Sequence, residues 1–251
     1  MNILVLMAGD SQRFADAGHL YPKNLIEVGG EPLCQRVIAQ LEPLTAAGAR
    51  LICLVRNTEN ARFHTADVIR LLAPDATVVT VPELDSGAAC TALLAIEQID
   101  ADRPLLVFNG DQVLTEGIPE AIDEFAERGL DGGVVVFRAV HPRWSYVKVG
   151  DDGLVIEASE KRPISTLATA GTYWFARGDD FVRAAMRMIL KDAHVQDRFF
   201  VCPAYNELIL EQAHIGVFEI ERSSYFSLAS PQGVQEYEEH VTGRRLAREV
   251  V

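Results

Sequence analysis

The first half of the chain alternates short β-rich runs with longer segments of helical periodicity. Asn2–Met7 (NILVLM), Arg50–Val55 (RLICLV), Ala76–Val81 (ATVVTV) and Pro104–Asn109 (PLLVFN) read as strands. Between them, Leu33–Leu44, Ala61–Leu72 and Gly87–Ile99 place apolar residues at helical spacing. Strands separated by helix-length segments predict βαβ units and a mostly parallel sheet. Right-handed crossovers then gather the loops that follow the strands along one edge, where open α/β sheets bind ligands.

The second half changes rhythm. Gly132–Val140, Tyr146–Val149, Leu154–Ala158 and Gly171–Phe175 are strand-like, with short turns such as Asp151-Asp152-Gly153 between several of them. Helical spacing returns at Asp180–Leu190 and Pro203–Gln212, and Ile215–Glu221 reads as a further strand. Ser230-Pro231 opens a helix over Pro231–Val241, with Ser as N-cap and Pro at the first helical position. No linker, repeat or low-complexity tract interrupts the chain. The pattern therefore predicts one mixed α/β domain over residues 1–251, in halves 1–130 and 131–251.

Composition narrows the partners. The formal charge of −13 opposes binding to nucleic-acid polymers, which needs clustered Lys and Arg, but leaves a single nucleotide open. Cys34, Cys53, Cys90 and Cys202 form no Cys-x-x-Cys pair, so they read as small buried apolar residues in a reducing compartment. The run Ile3–Ala8 is too short for a signal segment and lacks a basic flank, and no later run reaches membrane-spanning length. A cytoplasmic protein without membrane insertion is expected.

Several clusters carry chemistry. Met7, Ala8, Gly9, Asp10 and Ser11 form a small-residue loop after the first strand, where backbone N–H groups can approach phosphates. Arg13 and Lys23 add positive charge suited to a triphosphate, although an ordinary surface loop would contain the same residues. The run matches neither the P-loop nor the dinucleotide fingerprint. Asp111, in Asn109-Gly110-Asp111, follows a buried strand and offers a carboxylate to a hard cation such as Mg²⁺, or alternatively closes a turn. Ser86, Gly87 and Ala88 open a helix and fit either a nucleotide or a plain cap. Glu160 and Lys161 follow a strand and suit polar and phosphate groups, or form an exposed pair. Gly171 allows close approach or marks a bulge. The six histidines show no metal spacing, no nucleophilic triad is present, and Tyr173, Trp174, Phe199 and Phe200 read as core.

Ala-Gly, then Arg, then Pro-Lys-x-Leu after an N-terminal strand resembles the sugar-phosphate nucleotidyltransferases, and its opening is similar to capsule-associated bacterial cytidylyltransferases. Ser86-Gly87-Ala88-Ala89, Asn109-Gly110-Asp111, Glu160-Lys161, Ala170-Gly171-Thr172-Tyr173-Trp174-Phe175 and Ala229-Ser230-Pro231-Gln232 extend the likeness through nearly the whole chain. The resemblance implies a Rossmann-like, GT-A-type fold, with nucleotide bound by residues 1–130 and acceptor by the β-rich part of residues 131–251. It implies transfer of a nucleoside monophosphate to a phosphorylated acceptor, with CTP favoured over UTP or dTTP and pyrophosphate released. In that reading Arg13 and Lys23 are catalytic, and Met7, Ala8, Gly9, Asp10, Ser11, Ser86, Gly87, Ala88 and Asn109 bind nucleotide. Asp111 holds Mg²⁺, and Glu160, Lys161 and Gly171 bind the acceptor. Such relatives often form homo-oligomers.

Several departures from the family pattern stand out. Ser11 replaces a second family glycine and Gln12 a small hydroxyl residue, which implies a reshaped loop. Asp10 places a negative charge beside the expected triphosphate, repelling phosphate or helping to hold magnesium. Ser227 stands where many members carry a metal-binding Asp, and the nearby Glu221 is out of register. Arg162 also separates Glu160-Lys161 from Pro163. Two rivals remain. A glycosyltransferase would usually show Asp-x-Asp, whereas Gln112 and Val113 follow Asp111, and a non-catalytic nucleotide-binding protein would fit the departures.

Overall fold

The computed structural model describes residues 1–83 and 85–249, with 244–249 described in backbone only. β1 (Asn2–Leu6) is followed by α1 (Gln12–Asp16), a 3-10 turn at Lys23–Leu25, and a hairpin of β2 (Glu27–Val28) and β3 (Glu31–Pro32). The stretch expected as one helix over Leu33–Leu44 divides into α2 (Leu33–Ala39) and α3 (Glu42–Ala46), because Pro43 has no amide to donate back into α2. β4 (Arg50–Arg56) leads into α4 (Asn57–Phe63) and α5 (Thr65–Leu72). These two replace the single helix expected over Ala61–Leu72. His64 turns left-handed at φ 56, and the Ala66 amide donates to Asn60 Oδ1 at 2.9 Å, so side chains of α4 cap α5.

β5 (Thr77–Val81), α6 (Ala88–Leu93), β6 (Leu105–Asn109), β7 (Gln112–Leu114) and α7 (Ile118–Glu127) complete the first half. The helical reading of Gly87–Ile99 is met by α6 and a separate 3-10 turn at Ile96–Gln98. The second half contributes β8 (Gly132–Arg138), β9 (Ser145–Val149), β10 (Val155–Glu160), β11 (Leu167–Phe175), α8 (Gly178–Leu190), α9 (Tyr205–Ile209), β12 (Ile215–Glu219), β13 (Tyr225–Ser227) and α10 (Pro231–Glu249). At the start of α10 the Ser230 hydroxyl accepts from the Gly233 amide at 3.3 Å, the expected cap.

The main sheet runs β10-β9-β11-β6-β1-β4-β5, with β8 attached to β11 and β12 to β8. β5, β4, β1 and β6 are parallel, and β11 pairs antiparallel with β6, β8 and β9. Both faces are covered, which is why the parallel strands show no polar alternation. Ile3, Val5, Cys53, Val55, Leu106 and Phe108 face one apolar layer, which α2, α5 and α7 complete. Leu4, Ile52, Leu54, Leu105 and Val107 face the other, against α6, α8 and α9. Cys34, Cys53 and Cys202 are buried free thiols, and burial pushes Cys34 and Cys53 up to about 12. Among the described residues no helix is long and apolar enough to cross a membrane.

Candidate functional site

The chain proceeds outward from β1 to β4 and β5, then returns to β6 on the opposite side of β1, with Leu6 and Asn109 in register. Such a reversal leaves a crevice beyond the strand ends. A cleft of about 970 Å³ opens there, running from the loop after β1, past Asp111, to Glu160, Lys161 and Phe200.

The loop after β1 is held from below. Asn24 Nδ2 donates to the Met7 carbonyl at 2.8 Å, and Arg56 Nε to the Ala8 carbonyl at 2.8 Å. The amides of Ala8, Gly9, Asp10 and Ser11 donate to no partner among the described residues. Carbonyls anchored behind unspent amides make a concavity suited to anions. Ala8, Gly9, Asp10 and the exposed Arg13 line the cleft. The Met7 side chain does not: it is fully buried in the core. Ser11 also lies behind the lining, where its hydroxyl accepts the Lys23 amide at 3.0 Å. Its φ of −106 suits any residue, so Ser11 stands there without backbone strain. Asp10 is occupied locally, accepting the Gln12 amide at 2.9 Å as α1 begins.

Lys23 does not itself line the cleft: it is 5% exposed and lies beneath Gly9, and reaches the cleft wall through its ammonium, 2.6 Å from Asp111 Oδ2. Asp111 faces the cleft from the turn between β6 and β7, with Asn109 beside it. The short strand β13 pairs with β7, and the Leu228 amide donates to the Asp111 carbonyl at 2.8 Å. This brings Ser227 to the cleft wall near Asp111, while Glu221 precedes a 3-10 turn and does not line the cleft.

Ser86 does not line the cleft either, because its carbonyl instead accepts the Phe199 amide at 2.8 Å. Gly87 and Ala88 do. Gly87 adopts φ 98 with the Phe199 backbone packed where a Cβ would stand, so only glycine fits.

Glu160 belongs to β10 rather than to a loop after it, and is 8% exposed. Burial pushes its carboxyl above the ordinary range, opposed by a hydrogen bond from the Ser145 hydroxyl and by Lys161. Lys161 turns left-handed at φ 54, donates to Gln196 Oε1 at 2.8 Å and lies 5.0 Å from the Phe200 ring centroid. Gly171 interrupts the pairing of β11 with β8 at φ 60, and Gln112 Oε1 and Asn109 fill the space a side chain would need. Phe200 and Tyr173, read as core, line the cleft, while Trp174 packs inside against Phe125. Arg143 and Trp144, stacked at 4.2 Å, and Arg56 also line it; no motif in the sequence marked them.

Residues 3–173 match the family model for the MobA-like NTP transferase domain. The chain belongs to this family. The NTP transferase domain is 25% identical to a nucleoside-diphosphate-sugar pyrophosphorylase from Vibrio cholerae RC9, with a TM-score of 0.81 over 94% of this chain and 99% of that one. An inositol-1-phosphate CTP transferase from T. maritima shares the fold at 15% identity, with a TM-score of 0.72 over 95% and 94%. Among curated proteins, the low-salt glycan biosynthesis nucleotidyltransferase Agl11 of Haloferax volcanii is 22% identical over 80% of this chain and 60% of its own length. The bifunctional protein GlmU of Methanocaldococcus jannaschii is 25% identical over 70% and 40%. The chain thus spans about half the length of the curated relatives it matches.

Proposed function

We propose that the protein transfers a nucleoside monophosphate from a nucleoside triphosphate to a phosphorylated acceptor. The observation that carries this reading is the Lys23–Asp111 pair at the strand switch point, between a loop of free amides and the Glu160–Lys161 end of the cleft. A phosphate oxygen of the acceptor attacks the α-phosphorus, the bond to the bridging oxygen of the β-phosphate breaks, and pyrophosphate leaves. The acceptor's phosphate is already anionic, so no general base is required and catalysis is positioning plus charge stabilisation. The amides of Ala8 to Ser11 and the side chains of Arg13 and Lys23 neutralise the triphosphate. Lys161 takes the acceptor's phosphate, and Glu160 accepts hydrogen bonds from its polar groups.

Among the described residues no cluster of three His, Cys, Asp or Glu is built to hold an ion unaided. The carboxylate of Asp111, which faces the cleft, nonetheless fits Mg²⁺, which takes one or two carboxylates and completes its shell with phosphates and water. When bound, magnesium would polarise the phosphate oxygens as a Lewis acid.

CTP is the favoured donor, with UTP and dTTP as alternatives, supported by the resemblance of the N-terminal run to capsule-associated cytidylyltransferases. The acceptor is a sugar phosphate or a phosphorylated small amine or amino acid derivative, and the product feeds capsule or other cell-surface polysaccharide synthesis. The name of the Haloferax relative is consistent with that setting. The reading is tested by thermal stability with ATP, CTP, GTP, UTP and dTTP, each with and without Mg²⁺. A ligand at 100-fold its Kd stabilises by about 2.7 kcal/mol. A magnesium-dependent response to a pyrimidine triphosphate is expected, and silence towards all five would contradict it.

A further inference from the structure

The structure assigns a positioning role to Glu59, a residue outside the cleft: through Asn24 it fixes the loop that receives the triphosphate. The inference rests on the nucleotidyl-transfer reading and concerns how its phosphate site is held in shape. Glu59 lies in α4 and is 7% exposed. Its Oε1 accepts from Asn24 Nδ2 at 2.8 Å and from the Thr65 hydroxyl at 2.9 Å. The same Asn24 amide nitrogen donates to the Met7 carbonyl at 2.8 Å, so one unbroken chain runs from α5 through Glu59 and Asn24 to the start of the loop.

The consequence is geometric. With the Met7 carbonyl drawn down by Asn24 and the Ala8 carbonyl by Arg56, the next four amides have no partner among the described residues and remain available to an anion. Asn24 also follows Lys23 directly, so the brace sets the segment that carries the ammonium facing Asp111. Burying a carboxylate is costly unless it is well bonded. Burial indeed raises the Glu59 carboxyl, against the hydrogen bonds of Asn24 and Thr65 and the charges of Lys23 and Arg56. A carboxylate set among two hydrogen-bond donors and two cations at the edge of a phosphate site is accounted for by its hold on the loop. Tying α4 to the first residue of α5 alone would require the Thr65 hydroxyl but not Asn24.

The test compares Glu59→Ala, Glu59→Gln and Thr65→Val in the full chain. KM for the triphosphate and for the acceptor are measured separately, and stability is followed by thermal melting. Glutamine keeps the oxygen that receives both bonds. Glu59→Ala should raise KM for the triphosphate by about tenfold, leave KM for the acceptor within about twofold, and weaken the melting shift that the triphosphate induces. Glu59→Gln should restore the triphosphate KM. Thr65→Val, which cuts the brace on the side away from the loop, should lower the melting temperature with little change in either KM. Equal triphosphate affinity in Glu59→Ala and the wild type would overturn the inference while leaving nucleotidyl transfer intact. A wild-type protein that binds no triphosphate would overturn both.

Discussion

Lys23 and Asp111 lie 88 positions apart and meet at 2.6 Å where the loops after β1 and β6 converge. Asp111 follows β6 closely, whereas Lys23 sits in the 3-10 turn after α1, which the Lys23 amide to Ser11 and the Asn24 side chain to the Met7 carbonyl tie to the loop after β1. Without substrate the two charges neutralise each other. With a triphosphate present, the ammonium and the carboxylate have separate work on the phosphates and their cation.

The pair predicts a separation of stability from activity. Lys23→Met or Asp111→Asn alone leaves a partly buried charge unmatched and should destabilise the chain by about 2 kcal/mol. Turnover should fall by about a hundredfold or more in each. The double variant should regain stability relative to the sum of the single variants, yet remain inactive. Denaturant unfolding and initial rates of pyrophosphate release on the four proteins check this, and additive stability losses would show that the contact does not couple them.

Glu160 predicts a pH signature. Its carboxyl is held above the ordinary range by burial, so the native chain retains that proton longer than the unfolded chain does. The group's contribution to stability is then complete below the unfolded value of about 4.3 and is lost as pH rises through the higher native value. Glu160→Gln removes that loss. Its melting temperature should exceed that of the wild type by a margin that grows as pH rises from the acid side to neutrality, while KM for the acceptor worsens. A margin independent of pH would contradict the assignment.

Gly171 predicts a local steric effect. Gly129 shares its left-handed backbone, at φ 62 against 60, but a Cβ added there would meet nothing within 4 Å, whereas one at Gly171 would meet Gln112 and Asn109. Gly129→Ala should cost about 1 kcal/mol from backbone alone. Gly171→Ala should cost about 3 kcal/mol and should weaken acceptor binding more than triphosphate binding. Equal costs at the two positions would remove the close-approach argument.

The layered architecture was readable because parallel strands buried on both faces are written as apolar runs, and their order with helices dictates the switch point. The clusters around Gly9, Asp111 and Glu160 were readable because their residue types stand at or just past the ends of strands. Other features were not. The break at His64 arises from Asn60 and Glu59 bonding into α5, a side-chain effect that hydrophobic periodicity does not register. Ser86 lies beside lining residues in sequence, but its carbonyl is taken by Phe199, more than a hundred positions away. Phe200, Trp144 and Arg143 reach the cleft from irregular segments whose placement depends on tertiary packing.

Pyrophosphate release tests the central claim most directly. The protein is incubated with Mg²⁺, CTP, UTP or dTTP and a panel of phosphorylated sugars, amines and amino acid derivatives. Pyrophosphate and the nucleotide-linked acceptor are quantified together. The account predicts equal amounts of the two products with one triphosphate and acceptor pair, and their loss in Lys23→Met and Asp111→Asn. Triphosphate binding without pyrophosphate from any acceptor, or cleavage of a nucleotide-sugar without pyrophosphate chemistry, would contradict it.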